Sequence, residues 1–226
     1  MTYERTRASL ETYFDRTAAD TWARLTSTDP VSRIRATVRA GRDRMRATLL
    51  SRLPADMTGM RLLDAGCGVG QLSVEAARRG AEVLGVDISP NLLEVARDRM
   101  PEDARARVTL VAGDMLDEDH GRFDFVVAMD SLIHYRTTDI ADALARLATR
   151  TSRAVVFTVA PSTPALETMR VVGKAFPRSD RSPAIIPVRA AKLTAELAER
   201  SDWRLETVER VKSGFYFSEA MEFAPK

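Results

Sequence analysis

The strongest constraint on the fold is the stretch Arg61-Leu62-Leu63-Asp64-Ala65-Gly66-Cys67-Gly68-Val69-Gly70. A short apolar run ends in an acid, and a glycine-rich turn then opens a segment of helical pattern. The run has the character of a buried parallel strand. The glycines suit a loop whose main chain passes close to a ligand. A lone G-x-G pattern carries little by itself, so its meaning depends on what the rest of the chain adds.

From residue 60 onward, strand and helix patterns alternate. Strands are predicted at 61–65, 82–87, 108–112, 123–129 and 154–159, with helices at about 71–79, 91–100 and 139–148. Gly80 ends the first helix, Ser89-Pro90 caps the second and Pro101 stops it. Successive units of this kind require a parallel sheet with helices on both faces. A helix at about 190–200 precedes strands at 204–211 and 215–223, whose short Lys212-Ser213-Gly214 connection makes an antiparallel hairpin. The fold class is therefore α/β, a mostly parallel seven-stranded sheet that ends antiparallel.

Two segments stand outside that rhythm. Leu10, Tyr13, Phe14, Trp22 and Leu25 predict a first helical region, and Asp29-Pro30 starts a second that carries Val31, Ile34, Val38, Met45 and Leu49. Residues 1–57 thus form an N-terminal helical lid segment, and 58–226 the main domain. Between the apolar positions lie Arg33, Arg35, Arg39, Arg42, Arg44 and Arg46. They read either as a solvated face or as a face that meets an anionic ligand or a membrane surface. Residues 160–188 hold five prolines around one short helical pattern at 165–175, a functional cap over the sheet.

Charge and cysteine usage exclude several classes. Lys and Arg number 34 against 32 Asp and Glu, a near balance that gives no electrostatic footprint for nucleic acid. Cys67 is the sole cysteine, and His120 and His134 are the only histidines, so a protein metal site is not expected. No apolar run approaches the roughly 18 residues of a membrane span, and the first residues show no signal region. The expectation is a cytoplasmic protein, with surface association to a membrane left open.

Ligands of an open α/β sheet bind at the carboxyl ends of its strands. Asp64, Asp87, Asp114 and Asp130 occupy that position on four strands. Asp87 stands where an acid accepts a ribose diol. A dinucleotide fits poorly, because Gln71 replaces the third glycine and the Asp64 carboxylate would repel a pyrophosphate. A ligand with an ammonium, a sulfonium, a ribose and an adenine fits: S-adenosylmethionine (SAM). Asp114 then accepts the adenine amino hydrogen, with Met115 or Ile88 against the ring. Ala65, Gly66, Cys67, Gly68 and Gly70 approach the cofactor from the loop, and Met129 and Asp130 from beyond strand four. Cys67 is a small packed residue.

These motifs resemble those of the Rossmann-like class I SAM-dependent methyltransferases, over about residues 60–160. The match comprises Asp64–Gly70, Gly85-Val86-Asp87-Ile88-Ser89 and Gly113-Asp114-Met115. The stretch after strand four, Asp130-Ser131-Leu132-Ile133-His134-Tyr135, lacks the prolines of nucleic-acid amino methyltransferases. It resembles the magnesium-protoporphyrin IX O-methyltransferase family, as do Tyr13-Phe14, Phe157–Pro161 and Ser213–Phe217. Where that family commonly has a lysine, this chain has Ser162. The resemblance implies methylation of a propionate carboxylate of magnesium-protoporphyrin IX, with S-adenosylhomocysteine (SAH) as second product. A propionate is ionised at neutral pH, so positioning and desolvation are expected to dominate. His134 orients the propionate, with proton acceptance as a second role. Tyr13, on the lid, is the other catalytic candidate, and Arg39 meets a ligand carboxylate. The family further implies contact with the large subunit of magnesium chelatase. The magnesium is the pigment's own. Alternatives are methylation of another small amine or hydroxyl, or a pigment-binding protein without turnover.

Overall fold

The computed structural model describes residues 3–14, 33–162 and 184–226. Helix α1 (Tyr3–Tyr13) and helix α2 (Arg33–Leu50) precede the sheet. Then follow β1 (Arg61–Ala65), α3 (Gln71–Arg78), β2 (Glu82–Asp87), α4 (Pro90–Arg99), α5 (Glu102–Arg105) and β3 (Val108–Ala112). After a short 3-10 turn come β4 (Phe123–Ala128), α6 (Thr137–Ala148), β5 (Thr151–Val159), α7 (Ala190–Ala198), β6 (Arg204–Ser213) and β7 (Tyr216–Ala224).

The sheet has seven strands in the order β3-β2-β1-β4-β5-β7-β6. The first five strands are parallel, and β7 runs antiparallel to both β5 and β6. Side chains alternate across each strand, and the apolar ones divide accordingly into two cores. On one face Leu63, Val126 and Phe157 meet Ile140 and Leu144 of α6 and Leu193 of α7. On the other, Leu62, Val127 and Val156 meet Met45 and Leu49 of α2 and Leu72 of α3. Ile140, Leu144 and Leu147 lie at helical spacing and are fully buried, which is why this segment coils rather than extends.

The expected α/β fold with its C-terminal hairpin is the fold observed, with local differences. The four-residue helix α5 has no periodicity to announce it. Strand β5 begins at Thr151, because that residue pairs with Phe123 across an irregularity in β4. Strand β6 is two residues longer than expected and β7 is shifted by one, which leaves only Gly214 and Phe215 between them, with Gly214 at φ 58°. Trp22, Leu25, the Pro30 helix start and positions 163–183 of the expected cap lie outside the described residues.

Candidate active site

Because β4 lies on the far side of β1 from β2 and β3, the chain changes direction between β1 and β4. Their carboxyl ends open into a cleft, the usual ligand position of such a sheet. The two loops there touch. Gly66 has φ 82°, and a Cβ on it would sit 2.4 Å from that of Ser131. Any larger residue would force the loops apart. Ser131 Oγ donates to the Ala65 carbonyl at 2.7 Å, closing the contact.

Asp64 and Asp87 line this cavity together with Gly66, Cys67, Gly68 and Ile88. Asp64 is 2% exposed and accepts the Ser73 hydroxyl at 2.6 Å. Burial pushes its carboxyl up to about 6, against the Ser73 hydrogen bond and with help from nearby Asp87. Asp87 accepts the Gly68 amide on Oδ2 at 2.8 Å and the Ser89 amide on Oδ1 at 2.9 Å. Burial raises its pKa too, and these amides oppose the rise. Each oxygen keeps a second lone pair, so a fixed carboxylate can still accept two hydroxyls. Burial drives the Cys67 thiol well up, which leaves it an unreactive packed group.

The other expected residues divide. Met115, Met129, Asp130 and His134 line the same cavity. Ala65 and Gly70 shape the loop without lining it, Gly70 as the left-handed residue that opens α3. Asp114 stands just outside the lining, its Oδ1 taken by the Tyr3 hydroxyl at 2.8 Å and the Leu116 amide at 2.9 Å. Arg39 is not part of the wall; Arg42 and Arg46, further along α2, are. Tyr13 is also outside, edge-on to Phe14 at 5.2 Å. Phe14 lines the cavity instead, 6.1 Å from the His134 ring.

Asp130 is the centre of a polar node. At φ 55° it is the one non-glycine residue with positive φ among the described residues. Its carboxylate accepts Arg42 Nη1 at 2.6 Å, the Tyr216 hydroxyl at 3.0 Å and the Thr158 hydroxyl at 3.2 Å. Its amide donates to Thr158 Oγ1 at 2.7 Å. The node joins α2, β5 and β7 to the loop that carries His134. His134 Nδ1 lies 3.2 Å from the Ala184 carbonyl, which can only accept, so Nδ1 carries the proton. Burial lowers the His134 pKa, partly offset by Ala184 and Asp130. The ring is thus neutral at neutral pH, with the lone pair on Nε2.

Among the described residues, no group of three or more His, Cys, Asp or Glu side chains could hold a metal ion, and no helix is long and apolar enough to cross a membrane. Sequence reasoning passed over Tyr3 and Tyr216 as site residues, and it did not single out Arg42 and Arg46 from the other arginines of their helix. The one available signal was Asp130 itself, a strand-end acid that requires a partner once buried.

Known proteins of similar sequence and fold identify the family. The Magnesium-protoporphyrin O-methyltransferase of Rhodobacter capsulatus is 52% identical over 224 residues, covering 99% of this chain and 98% of that one. The chain belongs to the magnesium-protoporphyrin O-methyltransferase family. The family profile described as Magnesium-protoporphyrin IX methyltransferase C-terminus matches residues 128–225, and a general Methyltransferase domain matches 62–153. The chloroplastic Magnesium protoporphyrin IX methyltransferase of Arabidopsis thaliana is 27% identical across 94% of this chain and 69% of its own length. A crystal structure of the Synechocystis PCC 6803 magnesium protoporphyrin IX methyltransferase with bound SAH superposes with a TM-score of 0.80 at 27% identity, covering 97% of this chain and 99% of that one. The first profile covers Asp130, His134 and the closing hairpin.

Proposed function

We propose that this protein methylates a propionate carboxylate of magnesium-protoporphyrin IX, using SAM and giving the monomethyl ester of (bacterio)chlorophyll synthesis. The observation that carries this reading is the 52% identity to the Rhodobacter capsulatus enzyme from end to end. The cavity agrees with the donor. Buried Asp64 calls for a cation, such as an ammonium, and Asp87 is held rigid with lone pairs toward a ribose. Ile88 and Met115 offer an apolar bed for adenine.

When bound, SAM supplies a methyl group on a positively charged sulfur, open to displacement in line. The chain's residues do the rest. The apolar walls strip water from the propionate, which raises its pKa and favours the acid form. His134, neutral and with Nε2 unprotonated, then suits the role of proton acceptor. Of the two roles expected of His134, orienting the propionate and accepting its proton, this favours the second, because a neutral ring whose Nδ1 already donates to Ala184 has no second proton to give. Phe14 packs near His134 and closes that end from water. Arg42, neutralised by Asp130, holds the loop in place. Tyr13 retains a role only through Phe14, its ring neighbour.

The magnesium belongs to the pigment. Peripheral contact with a bilayer and hand-over from the large chelatase subunit extend this reading. Exposed Phe215, with Arg33 and Arg35 exposed at the start of α2, supports the first, and co-sedimentation with anionic vesicles checks it. To test the function itself, purified protein is mixed with SAM and magnesium-protoporphyrin IX. The pigment recovered should be one methyl heavier; unchanged pigment, loaded or metal-free, would refute the proposal.

A further inference from the structure

Helix α1 touches both ends of the cavity. At its start, Tyr3 lines the wall, stacks on Tyr135 at 4.9 Å and donates its hydroxyl to Asp114 Oδ1. One turn on, Arg7 Nε faces Asp114 Oδ2 at 3.7 Å, beyond hydrogen-bond reach. That nitrogen is buried and has no hydrogen-bond partner. Leu10, 3% exposed, anchors the middle of the helix in the core. Just past its end, Phe14 reaches the neighbourhood of His134. Eleven helical residues cover about 16 Å, so one element carries both Tyr3, which bonds Asp114, and the approach to Phe14, which neighbours His134.

Asp114 itself sits on a tied loop. The His120 ring nitrogen donates to its main-chain carbonyl at 2.9 Å, and Arg150 Nη2 donates to the Met115 carbonyl at 2.5 Å. The loop is therefore fixed, while the carboxylate has one oxygen engaged and one with room. A carboxylate offers about four lone-pair sites. Oδ2 can take a further donor, and the unsatisfied Arg7 nitrogen marks a contact that closes with a small rotation of that group. Leaving a buried charged donor unpaired is costly.

We propose that Asp114 is shared between the adenine amino group and the Tyr3–Arg7 side of α1, so that seating the cofactor and docking α1 are one coupled step. Tyr3 is then a cofactor-positioning residue, and α1 carries the effect to the acceptor end through Phe14. This rests on the cofactor reading above. It predicts that bound cofactor leaves the pigment site better formed. The coupling is reciprocal, since each ligand must favour the other by the same factor.

Calorimetric titration with SAH, with and without magnesium-protoporphyrin IX, tests this on the intact chain. In the wild type, SAH should tighten pigment binding about five- to tenfold. Tyr3→Phe keeps the ring and loses one charge-assisted hydrogen bond, so SAH affinity should fall about tenfold. The tightening should vanish, while pigment affinity without SAH stays within about twofold. Unchanged SAH affinity in Tyr3→Phe, or tightening that survives, overturns the proposal. Arg7→Gln, expected to weaken SAH in the same direction, decides the matter if Tyr3→Phe does not fold. The SAH arm alone judges the Asp114 link whatever the acceptor. A wild type that ignores SAH would instead remove the cofactor reading beneath it.

Discussion

Asp64 is buried and His134 half-buried, and loss of solvent moves the two in ways that can be separated by titration. Asp64, held near 6 by desolvation, carries a proton below that pH. A cationic ligand needs the carboxylate form. SAH affinity should therefore be level above about pH 6 and weaken below it, by at most about tenfold per pH unit. Asp64→Asn should remove that dependence and weaken binding at pH 8; a variant that kept the wild-type profile would contradict the pairing. His134 titrates below its ordinary 6.5, because burial disfavours the charged ring. With SAM saturating, kcat should rise with pH through that lowered pKa and then stay flat. His134→Asn should cut kcat by about 100-fold or more and abolish the acid limb, with SAH affinity within about twofold. Equal losses in kcat and SAH affinity would show that the ring serves the cofactor instead. The acids were legible in the sequence because each stands at the end of an apolar run. Their electrostatics were not, since a pKa depends on what folds over the group.

At the scale of elements, α2 matters for where it is pressed. Gly41 lets it lie against the C-terminal hairpin: a Cβ there would come 2.6 Å from the Tyr216 ring. The Ser213 hydroxyl donates to the Thr37 carbonyl at 2.7 Å at the same interface. That closeness delivers Arg42 to Asp130, 88 positions away, while Tyr216 reaches the same carboxylate across 86. Gly41→Ala should destabilise the fold by about 1–3 kcal/mol through overpacking, read as a lower midpoint in urea. Its methylation rate at saturating substrates should fall as Arg42 is displaced. A midpoint equal to the wild type would mean that the helix yields freely and the node does not depend on it. The parallel strands could be read from their apolar runs and the glycines, prolines and acids that bound them. The node could not, because no local pattern states which face of an arginine-rich helix meets a strand far along the chain. Arg39 and Arg42 are three positions apart, and only the packed structure distinguishes the one on the cavity.

For the whole molecule, the sheet supplies a rigid floor, its strand ends supply fixed acids, and α1 and α2 supply the walls. The donor was legible from Asp64, Asp87 and Asp114 with three glycines, since their chemistry is local to each strand end. The acceptor was not legible from physics alone. It came through resemblance, because a broad apolar cleft closed by helices from distant parts of the chain fits many flat molecules. The destination of the methyl group is the decisive property. With carbon-13 in the methyl of SAM and magnesium-protoporphyrin IX as acceptor, the label should appear as a methyl ester on a propionate and be released by mild alkali. Label that resists alkali, on a ring carbon or nitrogen or on the protein itself, would contradict it.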